Sequence, residues 1–481
     1  MNEQMSVQTS VQTSVQTRWQ TSAQAGALFA RHALLPGGWR CDVLLAWDGA
    51  GDLAQVEPDA APPPGVAQAD YVLPGMVNLH SHAFQRALGG LTERGAAGPQ
   101  ATPDSFWTWR HLMYRFANRI TPEQMEAVAA QLYVECLRHG YTAVCEFHYL
   151  QRDPAGALYA DPAETARRIA AAAQASGIGL TLLPVMYAHA GFGDAPLQPE
   201  QRRFRSDPAL VLRIVEALDG LRGPQLEVGA APHSLRAVSA GQLRALAQAL
   251  PAGRPLHIHV AEQALEVQQC LDATGRRPVE WLLEQVDVDA RWCLVHATHL
   301  AEGEIAGLAR SGACAGLCPT TEANLGDGLF PLAPYLAAGG RFGIGSDSHV
   351  SHSPVEELRW LEYGQRLARQ RRNIALDPGT RDVAAFLWQG ALRGGAQAAG
   401  RRLGALEAGR RADLLVLDAG HPHLDGADPA DVLGRFLFCG NDNLVRDVLV
   451  GGRWTVRGGR HPDQDAIAAR YKTALRQLRE A

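Results

Sequence analysis

The sequence predicts an α/β fold: a closed (β/α)8 barrel carrying a small β domain assembled from both chain ends. Short β-rich apolar runs alternate with longer helical patterns from about residue 72 to 346, as in a parallel sheet with covering helices. Eight such runs occur, which favours a closed barrel over an open sheet. Strand-like pieces with no partners of their own lie on either side of that region.

In order, the eight runs are Val72 to Leu79, Thr142 to Phe147, Ile178 to Met186, Leu226 to Ala230, Leu256 to Val260, Cys293 to Val295, Ala313 to Leu317 and Phe342 to Gly345. The helices between them carry their own signals. Thr121-Pro122-Glu123-Gln124 supplies an N-cap, a proline in the first turn and a glutamine at the third position, and Gly140 follows the last turn. Short strands are expected between about Ala27 and Tyr71, with Pro62-Pro63-Pro64-Gly65 as a loop among them. Further strands are expected at Ala412 to Leu417 and Val445 to Val456, the latter folded by a Gly451-Gly452 hairpin turn. The expected organisation is a low-complexity extension over 1–26, the small β domain over 27–74 and 409–460, the barrel over 75–408, and a C-terminal helix over 461–481. The extension repeats Ser-Val-Gln-Thr three times from Ser6 to Thr17 and lacks the basic and apolar regions of a secretory signal, so it is expected to be disordered.

Composition narrows the chemistry. Of 45 basic residues against 50 acidic ones in 481, only Lys472 is a lysine, and it lies near the C-terminus. Schiff-base and pyridoxal-phosphate chemistry, a P-loop and a metal pair bridged by a carboxylated lysine all need a lysine amine in the site. No apolar run approaches the ~18 residues that cross a bilayer, and no basic cluster points to nucleic acid. The eight cysteines form no C-x-x-C pair and several sit in apolar runs, as core residues of a reducing, cytoplasmic setting do.

Polar residues collect at the ends of the predicted barrel strands: His80-Ser81-His82, His148-Tyr149, His233, His259, His296 and Asp347. In a parallel barrel all of these ends open on one face, where such folds keep their sites. His80 and His82 are two apart on an extended segment, so both imidazoles point the same way, as two ligands of one ion must. His257 and His259 repeat the spacing on the fifth strand. His259 is favoured, because a strand turns one side to the interior and Glu262 follows at the same mouth. His80, His82, His259 and Asp347 are the expected metal ligands, leaving a position for water; imidazoles with one carboxylate suit Zn²⁺, with Fe²⁺ or Mn²⁺ as alternatives.

These segments, from Pro74-Gly75-Met76-Val77-Asn78-Leu79-His80-Ser81-His82 to Gly345-Ser346-Asp347, resemble the amidohydrolase superfamily in its mononuclear-metal deaminase branch. Within it, His82-Ala83-Phe84-Gln85-Arg86, Ser105-Phe106-Trp107-Thr108-Trp109-Arg110, Glu146-Phe147-His148-Tyr149, His233-Ser234-Leu235-Arg236 and Thr321-Glu322-Ala323-Asn324-Leu325-Gly326-Asp327-Gly328 are similar to the formimidoylglutamate deiminases of histidine degradation. The resemblance implies a distorted (β/α)8 TIM barrel with a small β-sandwich domain, a homodimer, and hydrolysis of N-formimidoyl-L-glutamate to N-formyl-L-glutamate and ammonia.

It also implies roles. Asp347, His296, Glu262 and Gln85 would carry the catalysis. Gln85, Arg110, Tyr149, His233 and Arg236 would hold the substrate, whose two carboxylates call for fixed cations. Bland readings stand beside these: Glu262 opening the next helix, Tyr149 as a packed aromatic, Phe106 to Trp109 as a packed wall, and Asn324 and Asp327 shaping a loop. An aromatic-base deaminase acting on guanine, cytosine or an adenosine derivative would share the metal set, though it must grip a neutral ring. A noncatalytic metal-binding barrel would not require the acid and base residues.

Overall fold

The computed structural model describes residues 25–93, 105–376 and 379–480. Most of the expected N-terminal extension, residues 1–24, therefore lies outside the described residues.

Four strands open the chain: β1 (Gly26–Leu35), β2 (Gly38–Trp47), β3 (Leu53–Glu57) and β4 (Ala67–Pro74). The barrel strands follow as β5 (Met76–Ser81), β6 (Tyr141–His148), β7 (Gly179–Met186), β8 (Leu226–Val228), β9 (Ala231–Pro232), β10 (Leu256–Val260), β11 (Trp292–His296), β12 (Cys314–Leu317) and β13 (Arg341–Ile344). The last three are β14 (Leu414–Leu417), β15 (Val445–Val450) and β16 (Arg453–Val456).

The two chain ends share one seven-stranded sheet in the order β16-β15-β14-β4-β1-β2-β3. The join is β14 against β4, antiparallel, with Leu415 opposite Leu73. Leu28, Val43, Leu45, Val72, Leu414 and Leu449, drawn from strands of both ends, pack into one small core of their own. The Gly451-Gly452 turn between β15 and β16 has φ of +54° and +74°, the left-handed pair that a two-residue hairpin requires.

In the barrel, β5-β6-β7-β8 and β10-β11-β12-β13 are parallel runs, and β9 continues the fourth stave by pairing with β7. Short bridges close both seams: Ala230 with Leu256 and Ser234 with His259 on one side, Ser81 with Asp347 on the other. Strands β5, β6, β7, β10, β11 and β12 are buried along their whole length, as expected for a sheet covered on one face by helices and filled on the other.

Two of the eight expected runs divide. Val72 to Leu79 is not one strand: Val72, Leu73 and Pro74 finish β4 in the end sheet, and the barrel begins only at Met76. Pro74 has no N–H to continue the ladder, and the backbone changes sheets at Gly75, whose N–H donates to the Asp413 carbonyl at 3.0 Å. Leu226 to Ala230 likewise breaks after Val228.

The helix Val383–Ala399 packs across the barrel strands away from their C-terminal ends. Its last turns accept hydrogen bonds from Thr181 on β7, His257 on β10 and Cys314 on β12. Gly394 permits that approach, because a Cβ there would lie 1.9 Å from the Phe342 carbonyl oxygen. The helix Pro122–Arg138 starts on the expected cap, with Thr121 Oγ1 accepting from the Gln124 N–H and Gln124 Oε1 from the Thr121 N–H. The C-terminal helix Gln464–Glu480 carries the exposed Lys472. No described helix is long and apolar enough to cross a membrane.

Candidate active site and metal centre

The strand ends bring His80, His82, His259 and Asp347 to one point. His80 Nε2 lies 3.1 Å from His82 Nε2 and 2.9 Å from His259 Nε2. Asp347 Oδ1 lies 3.4 and 3.3 Å from the first two. All four are buried, and one donor atom from each lies within 4.8 Å of the others. The tautomers fit a cation. His82 Nδ1–H donates to the Phe147 carbonyl at 2.9 Å and His259 Nδ1–H to the His233 carbonyl at 3.0 Å. Each neutral ring then turns its Nε2 lone pair inward. Burial drives the imidazoles below their usual pKa, His80 to about 3 and His259 well below the ordinary value, which keeps them neutral. Burial works to raise the Asp347 carboxyl, but its contact with His80 and the neighbouring imidazoles outweigh this and hold it ionised. Two inward lone pairs, the Nε2 of His80 between them and a carboxylate fit a divalent ion.

The choice between His257 and His259 turns on depth rather than on side. Residues two apart share a strand face. His257 points the same way one layer lower, where its Nε2–H donates to the Ala398 carbonyl at 2.8 Å.

The backbone is strained where the site is built. Ala261, His296, Ala297 and Asp347, just beyond or at the ends of β10, β11 and β13, have φ between +46° and +66°. Such residues cost about 1 kcal/mol or more each and persist where surrounding packing fixes them. Here they turn the chain over the barrel mouth.

Around the metal point one pocket is lined by Gln85, Arg110, Tyr149, His233, Arg236, Glu262, His296 and Asp347, together with Tyr114, Tyr187 and Phe204. His80 lies beneath it. Gln85 Nε2 donates to Tyr149 Oη at 2.9 Å, while its buried Oε1 has no partner. His233 is kept neutral by burial and by the charge of Arg236. Arg236 is buried with an unpaired Nε, and Arg110 Nε bonds Tyr114 Oη. Among the described residues neither guanidinium forms an ion pair.

His296 is the centre of charge. Its Nε2 lies 3.7 Å from both Glu262 Oε1 and Asp347 Oδ2, and its Nδ1 is 3.2 Å from Glu322 Oε1. Burial opposes its charge, but these carboxylates prevail and push its pKa up to about 10. Burial also raises Glu262 to about 7 despite His296. Glu262 does not open the next helix: Glu266 takes that place, accepting from the Glu262 N–H at 3.1 Å.

Sequence reasoning missed two buried carboxyls here. Glu322 backs His296 while also accepting from the Cys318 N–H at 2.9 Å. Asp327, assigned only to loop shape, bonds Gln263 and is raised to about 9 by burial and by Glu262. The sole sequence signal for either was the run from Thr321 to Gly328. Conversely, His148 is at a strand end but turns away, its Nε2 2.9 Å from Thr165 Oγ1. Asn324 donates to Glu93 at the surface.

The amidohydrolase family pattern matches residues 71–455, spanning every strand of this barrel. The chain belongs to the amidohydrolase family. This amidohydrolase is 52% identical over 453 residues to formimidoylglutamate deiminase from Pseudomonas aeruginosa, covering 94% of this chain and 99% of that one. Among solved structures it superposes on an amidohydrolase from Brucella melitensis with TM-score 0.88 at 45% identity, covering 94% and 99% of the two chains. The fold extends to an adenosine deaminase from Xanthomonas campestris with bound zinc, at TM-score 0.77 and 22% identity, covering 95% and 98%.

Proposed function

We propose that this amidohydrolase hydrolyses N-formimidoyl-L-glutamate to N-formyl-L-glutamate and ammonia in histidine degradation. The observation that carries the reading is the pair Arg110 and Arg236, which line the same pocket as the metal point and have no carboxylate partner among the described residues. Arg236 is buried and Arg110 half-buried; a guanidinium without a counter-ion suits a ligand that brings one, and two suit a dianion. An aromatic base would bring no carboxylate to either guanidinium. The 52% identity to the Pseudomonas enzyme over nearly the whole chain supports the same substrate.

His80, His82, His259 and Asp347 would hold one Zn²⁺ per chain, with Fe²⁺ or Mn²⁺ as substitutes; the zinc of the Xanthomonas deaminase supports that choice. Bound there, the ion would lower the pKa of a water and so supply a nucleophile near neutral pH. Arg110, Arg236, Tyr149 and His233 hold the glutamate portion, which leaves the formimino carbon towards Asp347. Gln85 Oε1, buried and unpaired, accepts a hydrogen bond from the formimino nitrogen. Asp347 Oδ2 takes a proton as water adds, and the charged His296 faces the developing negative charge. Glu262, with a carboxyl near neutrality, protonates the formimino nitrogen and takes the hydroxyl proton in exchange, while the proton held by Asp347 completes the departing ammonia.

The free and mostly buried cysteines support a cytoplasmic setting. The exposed Trp360, Tyr363 and Leu367 on the helix Pro354–Arg369 support a homodimer. Hydrolysis in ¹⁸O-labelled water tests the chemistry: the label is expected in the formyl oxygen of N-formylglutamate, with one ammonia per product. Ammonia release without the labelled formyl product would refute it.

A further inference from the structure

The wall between the inner pocket and an outer cavity contains an arrangement that the reaction does not by itself require. Arg110 and Arg236 line both spaces, whereas Trp107 lines only the outer one. The Cζ of Arg110 lies 5.3 Å, and that of Arg236 5.7 Å, from the centroid of the Trp107 ring. Both are within the ~6 Å reach of a cation–π contact. Two like charges from distant parts of the chain thus share one aromatic ring, with no carboxylate between them among the described residues. Trp107 is itself fixed: Phe106 meets it edge-on at 5.0 Å, and the Ser105 N–H donates to Thr108 Oγ1 at 2.9 Å at the start of the helix Phe106–Ala117. Tyr114 supports Arg110 from the next turn, its ring centroid 5.1 Å from Cζ.

We propose that Trp107 is a positioning residue that holds both guanidinium groups ready for a ligand with two carboxylates, and so sets the preference for a dianion without touching it. A carboxylate in the same place would hold the arginines more strongly, but it would neutralise the charge that the ligand needs. An aromatic face orients a guanidinium and leaves its N–H groups free to donate. The inference rests on the proposed substrate.

The test compares the metal-loaded wild type with Trp107→Leu and Trp107→Phe on N-formimidoyl-L-glutamate and on N-formimidoylglycine, which has one carboxylate. Trp107→Leu is expected to raise KM for the glutamate substrate about tenfold with kcat within about twofold and metal content unchanged. Its selectivity for the glutamate over the glycine substrate is expected to narrow, which loss of packing alone would not cause. Trp107→Phe, keeping a smaller aromatic face, is expected to fall between the two. A KM unchanged in Trp107→Leu, a fall in kcat at constant KM, or equal losses on both substrates would overturn the proposal. A wild type inert towards N-formimidoylglutamate would instead sink the substrate reading on which it rests.

Discussion

Asp347 is asked to be both a ligand and a proton acceptor, and its surroundings permit both. One oxygen faces His80 and His82, and the other faces His296 at 3.7 Å. Asp347→Asn keeps the shape and removes the acceptor; turnover is expected to fall at least about a thousandfold while the circular dichroism stays native. Substantial residual ammonia release would contradict the role. Arg236→Ala is expected to raise KM at least about tenfold at unchanged metal content, because a charge-assisted contact to carboxylate is lost; wild-type kinetics would remove Arg236 from the site. The ligand histidines were legible in the sequence because each lies at a strand end and strand ends share one face. Glu322 and Asp327 were not, since their placement depends on how the loop after β12 folds back over His296. Nor could spacing tell which of Glu262 and Glu266 serves the following helix.

Elements were legible where a local chemical signal marks them. The Thr121 capping box and the Gly451-Gly452 turn stand where the sequence put them, because caps and tight turns are decided by neighbouring residues. The division between β4 and β5 was not, since both halves are apolar and only tertiary partners separate end sheet from barrel. The contact between the helix Val383–Ala399 and β13 was also hidden, although its glycines were visible. Gly394→Ala would improve helix propensity yet force a methyl onto the Phe342 carbonyl. The net effect is expected to be destabilisation of about 1–3 kcal/mol, read as a lower denaturant midpoint. A more stable variant would show that the contact yields easily.

At the scale of the molecule, the fold carries an unusual load of buried neutral imidazoles. Besides the ligands, burial lowers His148 to about 3 and His257 and His352 to about 4. In the unfolded chain each would titrate near ~6.5. Below that pH the unfolded state takes up protons that the fold cannot, so their contribution is complete above about pH 6.5 and is lost as pH falls towards 4. Each adds up to ~1.4 kcal/mol per pH unit. His296, raised to about 10, acts with the opposite sign and loses its contribution only as pH rises through that value. The melting temperature of chelated protein is therefore expected to fall by more than ~5 °C between pH 7 and pH 5. A flat profile would mean that these histidines are protonated in the fold.

The near absence of lysine, one residue in 481, acquires a specific meaning in this barrel. A metal pair bridged by a carboxylated lysine cannot be built, and the four-ligand metal point shares its pocket with two arginines that have no carboxylate partner among the described residues. The central claim is that this pocket selects a linear dianion over a ring. It is tested most directly by ammonia release from N-formimidoyl-L-glutamate, guanine and cytosine, each measured before chelation, after it, and after metal is restored. The expected result is release from N-formimidoylglutamate alone, abolished by the chelator and recovered with the metal. Release from a nucleobase, with N-formimidoylglutamate inert, would contradict the account.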